Sequence, residues 1–145
     1  MIAEVECENL PLTNVQVKRL LDNSCKRMFR DTDGLVAVRC VSSDDIQRLN
    51  FVYRANDNPT NVLTFSYDDT EHDVALCMDV AMREASERNA QPTDYVALLL
   101  VHAFLHVLGL DHEKSAQEDE KTQALEKQIL EESGFMATSL SVSRL

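Results

Sequence analysis

The sequence predicts an α/β (α+β) fold: one compact domain with a small mixed sheet packed by about five helices. Three observations predict it. Strand-type and helix-type periodicities alternate along the chain with no repeat, low-complexity tract or linker between them. The length of 145 residues suits a single domain with its own core. Finally, the segment from Asp94 to about Leu108 is apolar nearly all round, so it is predicted to be a central helix, and it carries two histidines, His102 and His106.

Residues 2–7 read as a short edge strand. Thr13 or Asn14 caps a helix on which Val17, Leu20, Leu21, Cys25 and Met28 recur at helical spacing. Gly34 closes the following turn, and Leu35 to Val41 is rich in β-formers. Ser43 is expected to cap a second helix to about Tyr53, with Asp44 and Asp45 where the helix dipole favours acids. Asn58-Pro59-Thr60 marks a turn. Asn61–Ser66 and Asp73–Met78 are predicted strands around an acidic loop, Tyr67–Glu71, and Asp79–Asn89 a helix. Thr93 is expected to cap the central helix and Gly109 to end it. Ser115 with Glu118 spells a capping box for a last helix closed at Gly134. One domain over residues 1–145 is expected, with 138–145 a loose tail.

Hydrophobic residues make up 44% and charged residues 27%, which excludes a disordered or fibrous chain. The N-terminus is acidic and lacks a basic region followed by an apolar one, so no signal peptide is expected. The longest apolar run, Tyr95–Leu110, falls short of the roughly 20 residues of a membrane span, so no membrane partner is expected. Cys7, Cys25, Cys40 and Cys77 form no C-x-x-C pair and read as reduced, mostly buried thiols of a cytoplasmic protein. The net charge is −11 and is unevenly spread: residues 1–54 hold eight basic and eight acidic side chains, residues 55–145 six and seventeen. An anionic partner is therefore expected to meet the N-terminal half, where Lys18, Arg19, Lys26, Arg27 and Arg30 cluster.

The chemistry concentrates in His102-Ala103-Phe104-Leu105-His106-Val107-Leu108-Gly109-Leu110-Asp111-His112. Residues four apart share a helix face, so His102 and His106 can address one ion. Gly109 lets the chain turn back and deliver His112 as a third ligand. Three neutral imidazoles leave a coordination position of Zn²⁺ open, the mark of a catalytic site, and water bound in such a site is acidified toward a pKa of about 7. One zinc per chain is expected, with nickel an alternative occupant in a purified sample. Three of the four histidines fall in this stretch, and unpurposed imidazoles in an apolar helix would be costly.

The spacing H-x3-H-x5-H equals that of the metzincin proteases, whose pattern puts a Glu base directly after the first His. Ala103 stands there, which argues against proteolysis. A closer likeness exists. HAFLHVLGLDH resembles H-G-x-L-H-L-x-G-Y-D-H, the signature of the YbeY family of metal-dependent endoribonucleases, with Ala103, Val107 and Leu110 replacing the usual Gly, Leu and Tyr. Leu49-Asn50, Tyr53-Arg54, Asp57 and Pro59–Phe65 are similar to the family's LN…YR…D.PTNVLSF stretch. Asp73–Cys77 resembles its G-D-I-V-I-C strand, with His72 in place of the Gly, and Arg83-Glu84-Ala85 also fits. The likeness spans roughly residues 35–135.

The resemblance implies a compact α/β domain, single-strand-specific RNA cleavage in ribosomal RNA maturation and quality control, and ribosomal RNA with a ribosomal protein or assembly factor as partners. It places Arg54 as the catalytic cation, a role suited to a guanidinium facing phosphoryl oxygens; the plainer reading of Arg54 is a surface ion pair with Asp57. Asp111 is expected to orient an imidazole, to act as a base, or only to cap its loop. Thr60 and Asn61 are expected to shape their turn rather than to touch substrate from it, and His72 to be a surface histidine rather than a fourth ligand. The net charge opposes tight binding to naked RNA, which is expected to be weak and to fall steeply with salt. Two alternatives remain: a metallohydrolase of amide or ester bonds, and a non-catalytic zinc-containing ribosome-assembly adaptor.

Overall fold

The computed structural model describes residues 1–30, 33–110 and 116–137. In chain order the elements are β1 (Ile2–Glu6), α1 (Asn14–Arg27), β2 (Leu35–Cys40), α2 (Ser43–Arg54), β3 (Val62–Ser66), β4 (Glu71–Leu76), α3 (Met78–Glu87), α4 (Pro92–Val107) and α5 (Ala116–Glu132). The four strands form one mixed sheet in the order β1-β2-β4-β3. β1, β2 and β4 run parallel, and β3 joins β4 antiparallel as an edge strand. The α+β class, mixed sheet and five described helices agree with the prediction.

Alternation along the strands divides the sheet into two unlike faces. Val36 and Val38 of β2 and Val74 and Leu76 of β4 join the main core, together with Leu20 and Leu21 of α1, Ile129 and Leu130 of α5, and most of α4. The opposite face meets a smaller cluster, in which Ile46 of α2 packs with Cys77 and Val80 at the start of α3, flanked by Val41 and Leu63. That cluster does not cover the whole face, so Arg39, Phe65 and Asp73 remain at an open groove.

Several boundaries differ from expectation for local reasons. Thr13 caps α1 in a full capping box with Gln16, as predicted. The cap of α2 is Ser42, not Ser43: its Oγ accepts from the Asp45 amide at 3.1 Å. α4 begins before Thr93, because Pro92 at its first position needs no amide partner and pre-sets φ. β4 starts at Glu71, two residues earlier than expected, and Cys77 turns into the N-cap of α3 instead of extending the strand. The β-rich composition of Cys77-Met78 hid that turn. The cysteine reading is corrected for one pair: Cys7 and Cys40, which follow the paired residues Glu6 and Arg39 on neighbouring strands, form a disulfide with Cα atoms 5.1 Å apart. Cys25 and Cys77 are not part of that bridge. Gly34 is fixed by close approach, since a Cβ there would lie 2.9 Å from the Thr70 carbonyl oxygen that caps the start of β2. Ser115 and residues 138–145 lie outside the described residues. No helix among the described residues is long and apolar enough to cross a membrane.

Candidate active site

From Tyr95 to Leu108 every residue is buried except His102 and His106, which are half-buried. The helix is thus core on all sides but one, and the one open stripe carries the two imidazoles. Their ring centroids are 5.0 Å apart with planes at 68°, the arrangement that i, i+4 spacing dictates. Ala103, where a metzincin has its Glu, is only 1% exposed and lies in the core, and its methyl group cannot act as a base.

Glu126 of α5, 2% exposed, meets His102: its Oε2 lies 2.6 Å from Nδ1. A carboxylate has no proton to give, so it accepts from Nδ1–H, which puts the imidazole lone pair on Nε2. A ring nitrogen fixed by a buried carboxylate is the backing that metal-ligating histidines carry. This donor set, neutral imidazole held in one tautomer, fits zinc. Among the described residues no group of three or more metal-ligating side chains assembles. His112, the expected third ligand, and Asp111 lie outside the described residues.

Gly109 follows α4 at φ +100°, a conformation that favours glycine, and turns the chain out of the helix. Arg30, just past the basic end of α1, comes close here: a Cβ on Gly109 would stand 3.7 Å from its Nη1. The fold therefore brings the cationic end of α1 to the turn that leads to Asp111 and His112. Arg27 in the same cluster is committed to Glu132, with Nε to Oε1 at 2.8 Å. That bond raises the arginine's pKa and lowers the carboxylate's.

Arg54 sits exposed at the C-terminal end of α2, where Ala55 ends the helix in the left-handed conformation. Its Nη2 donates to the Thr64 carbonyl at 3.0 Å, and its guanidinium lies over the Phe65 ring, 5.7 Å from the centroid. It does not pair with Asp57, which instead accepts from Gln47 at 3.1 Å. The Thr64 and Phe65 anchors belong to β3, the edge strand that α4 packs against. The structure thus sets Arg54 and the histidine helix on the same strand.

Asn61 is 2% exposed and shapes the turn as expected: its Nδ2 donates to Glu84 Oε1 at 2.9 Å, and its carbonyl accepts from the Cys77 amide. Tyr95 donates its hydroxyl to the same Glu84 oxygen at 2.9 Å. Burial, then this bond, pushes the Tyr95 phenol well above its ordinary range. His72 is not the surface residue expected. It is 4% exposed, with Nδ1 2.7 Å from Ser66 Oγ across the β3–β4 pair, and it takes no part in the histidine pair of α4. Alternation explains this: His72 shares the core face of β4 with Val74 and Leu76.

A family model described as endoribonuclease YbeY matches residues 4–134. Relatives named endoribonuclease YbeY include one from Acinetobacter baumannii, 32% identical over 138 residues, covering 88% of this chain and 87% of that protein. Another, from Delftia acidovorans, is 43% identical over 106 residues, covering 71% and 70%. The solution structure of TM1509 from Thermotoga maritima superposes with a TM-score of 0.60 at 26% identity, covering 90% of each chain. The fold and sequence define a single-domain protein built around a histidine-bearing central helix. The chain belongs to the endoribonuclease YbeY family.

Proposed function

We propose that this chain is a metal-dependent, single-strand-specific endoribonuclease acting in ribosomal RNA maturation and ribosome quality control in the cytoplasm. Its metal, zinc in this reading, is held by His102, His106 and His112, one ion per chain. The observation that supports it best is the histidine pair on the one open stripe of a buried helix, with His102 backed by the buried Glu126. The metal, when bound, supplies a Lewis acid that polarises a phosphoryl oxygen and lowers the pKa of water. Everything else is asked of the chain itself. Arg54, held by Thr64 and Phe65, presents its guanidinium to the charge that builds on the phosphoryl oxygens. Asp111, next to the third ligand, orients an imidazole or takes a proton. The basic end of α1 at the Gly109 turn offers the approaching backbone a patch of favourable potential on an otherwise acidic protein. The partners are ribosomal RNA and a ribosomal protein or assembly factor that delivers it. Cleavage of amide or ester bonds is disfavoured by Ala103, whose methyl group stands where the base of such an enzyme would.

Elemental analysis of the purified chain beside His106→Ala tests the metal, and cleavage of single-stranded against duplex RNA beside Arg54→Ala tests the reaction. About one zinc or nickel per chain, lost in His106→Ala, is expected. Arg54→Ala is expected to lose about 10²–10³-fold in cleavage rate, the usual effect of removing one transition-state donor, while retaining metal and fold. A chain that takes up no metal after zinc is added would sink the reading. An Arg54→Ala variant that cleaves normally would remove Arg54 from the site.

A further inference from the structure

The face of the sheet that α2 leaves partly open carries a cavity of about 190 Å³. Leu49, Tyr53, Phe65 and Tyr67 line it, together with Arg39 and Asp73. The two tyrosines are 59% and 65% exposed, unusual for rings with a pocket beside them. Tyr53 and Phe65 form a T-shaped pair with centroids 5.2 Å apart and planes at 68°. Asp73 accepts from the Tyr67 hydroxyl at 2.6 Å and faces Arg39 Nε at 3.5 Å, while Arg39 also pairs with Glu6. A carboxylate has about four lone-pair sites, so Asp73 keeps acceptor capacity toward the cavity. Phe65 joins this pocket to the proposed site, since the Arg54 guanidinium lies over the same ring.

We propose that this pocket is a base-binding subsite, in which a single-stranded RNA substrate places one unstacked base carrying an exocyclic amino group. This rests on the endoribonuclease reading and names how that activity would select its strand. An apolar cavity of about 150 Å³ takes a benzene ring, so this one has room for a heterocyclic base. Tyr53 and Tyr67 offer faces to stack on, Asp73 accepts from the amino group, and Arg54 meets the adjoining phosphate. The charge of the protein favours such a subsite: at −11 it gains less from phosphates than a basic protein would, so contacts without charge matter more. Stacking is such a contact, and duplex RNA cannot make it because its bases are already stacked.

The test is fluorescence anisotropy of end-labelled, cleavage-resistant 2′-deoxy tetramers of A, C and U on the intact protein. Tetramers of A and C should bind more tightly than those of U, and that preference should persist as salt weakens the binding of all three. Tyr53→Ala should weaken the A tetramer about tenfold, Tyr53→Phe should restore it, and Asp73→Asn should erase the preference over U. Unchanged melting temperatures would show that the variants fold. If Tyr53→Ala and Asp73→Asn bind all three tetramers like the parent, the subsite is refuted and the pocket passes to a protein partner. Because this readout needs no cleavage, it separates from the activity: Arg54→Ala can abolish the reaction while the base preference stands, or the reverse.

Discussion

Removing Glu126 should loosen the metal without removing a ligand. The carboxylate is 2% exposed and its Oε2 is 2.6 Å from His102 Nδ1, so it fixes both the ring's orientation and its tautomer. Loss of such a partner costs about 10- to 100-fold in metal affinity, which is about 1.4–2.8 kcal/mol. Glu126→Gln keeps the volume and one acceptor oxygen but loses the charge, and should fall near the tenfold end. Glu126→Ala leaves Nδ1–H without its acceptor beside a ring that is only 14% exposed, so it should approach 100-fold. It should also destabilise the metal-free protein by about 1–3 kcal/mol, the cost of an unsatisfied buried donor. Competition for zinc against a chromogenic chelator reads the first quantity, and urea unfolding of the metal-free chain reads the second. If both variants bind zinc as tightly as the parent while His106→Ala loses it, Glu126 only fills space and the argument from tautomer is wrong.

Three further outcomes follow from the packing. Tyr95 has a pKa raised by burial and by its bond to Glu84, so its contribution is present below the ordinary phenol value of about 10 and is lost as pH rises through the folded-state value. Urea midpoints taken from about pH 8 to about pH 11 should therefore fall for the parent and fall less for Tyr95→Phe, which should start about 1 kcal/mol lower from the lost hydrogen bond; parallel curves would contradict this. Gly34→Ala pushes a methyl to 2.9 Å from a backbone oxygen that cannot rotate away, and should cost about 1–3 kcal/mol in denaturant unfolding. Cys7→Ser opens a disulfide that closes a 33-residue separation, worth up to about 4 kcal/mol by loop entropy, and thiol titration of the unfolded parent without reductant should count two thiols rather than four.

Much of the scaffold was legible because it rests on periodicity. The apolar stripe of α1, the β-rich run of β2 and the all-round apolar character of α4 each admit one reading. The pairing of His102 and His106 was legible for the same reason, since i, i+4 is a statement about one helix face. What escaped depends on contacts between distant residues. The Cys7–Cys40 bridge needs the β1–β2 register. The burial of His72 needs the exact start of β4, which a run of β-formers through Cys77 obscured. Glu126 did leave a trace: it stands with Thr122, Ile129, Leu130 and Ser133 on the buried stripe of α5, and a charge on such a stripe calls for a partner. The partner lies 24 residues away, so the stripe alone could not name it. Arg54 had no signal of its own beyond the family likeness, because its β3 anchors, the Thr64 carbonyl and the Phe65 ring, exist only once β3 is in the sheet.

The placement of the histidines on the most buried helix has a mechanical consequence. A metal ligand must hold its position to within a fraction of an ångström, and side chains on rigid elements do this better than side chains on loops. α4 is wedged against α1, α3, α5 and β3, so a shift of His102 or His106 would have to move the core. Arg54 is different: it is exposed, and it is held by the Thr64 carbonyl and Phe65 ring of an edge strand and by the Tyr53 carbonyl of its own helix. The rigid half of the site is suited to hold an ion continuously. The lightly tethered half is suited to exchange its Thr64 bond for a phosphate when a strand arrives, at the modest cost of one exposed hydrogen bond. That division accounts for a strongly acidic protein acting on a polyanion. In the role proposed for it, Arg54 is not locked in a buried ion pair from which a phosphate would have to extract it.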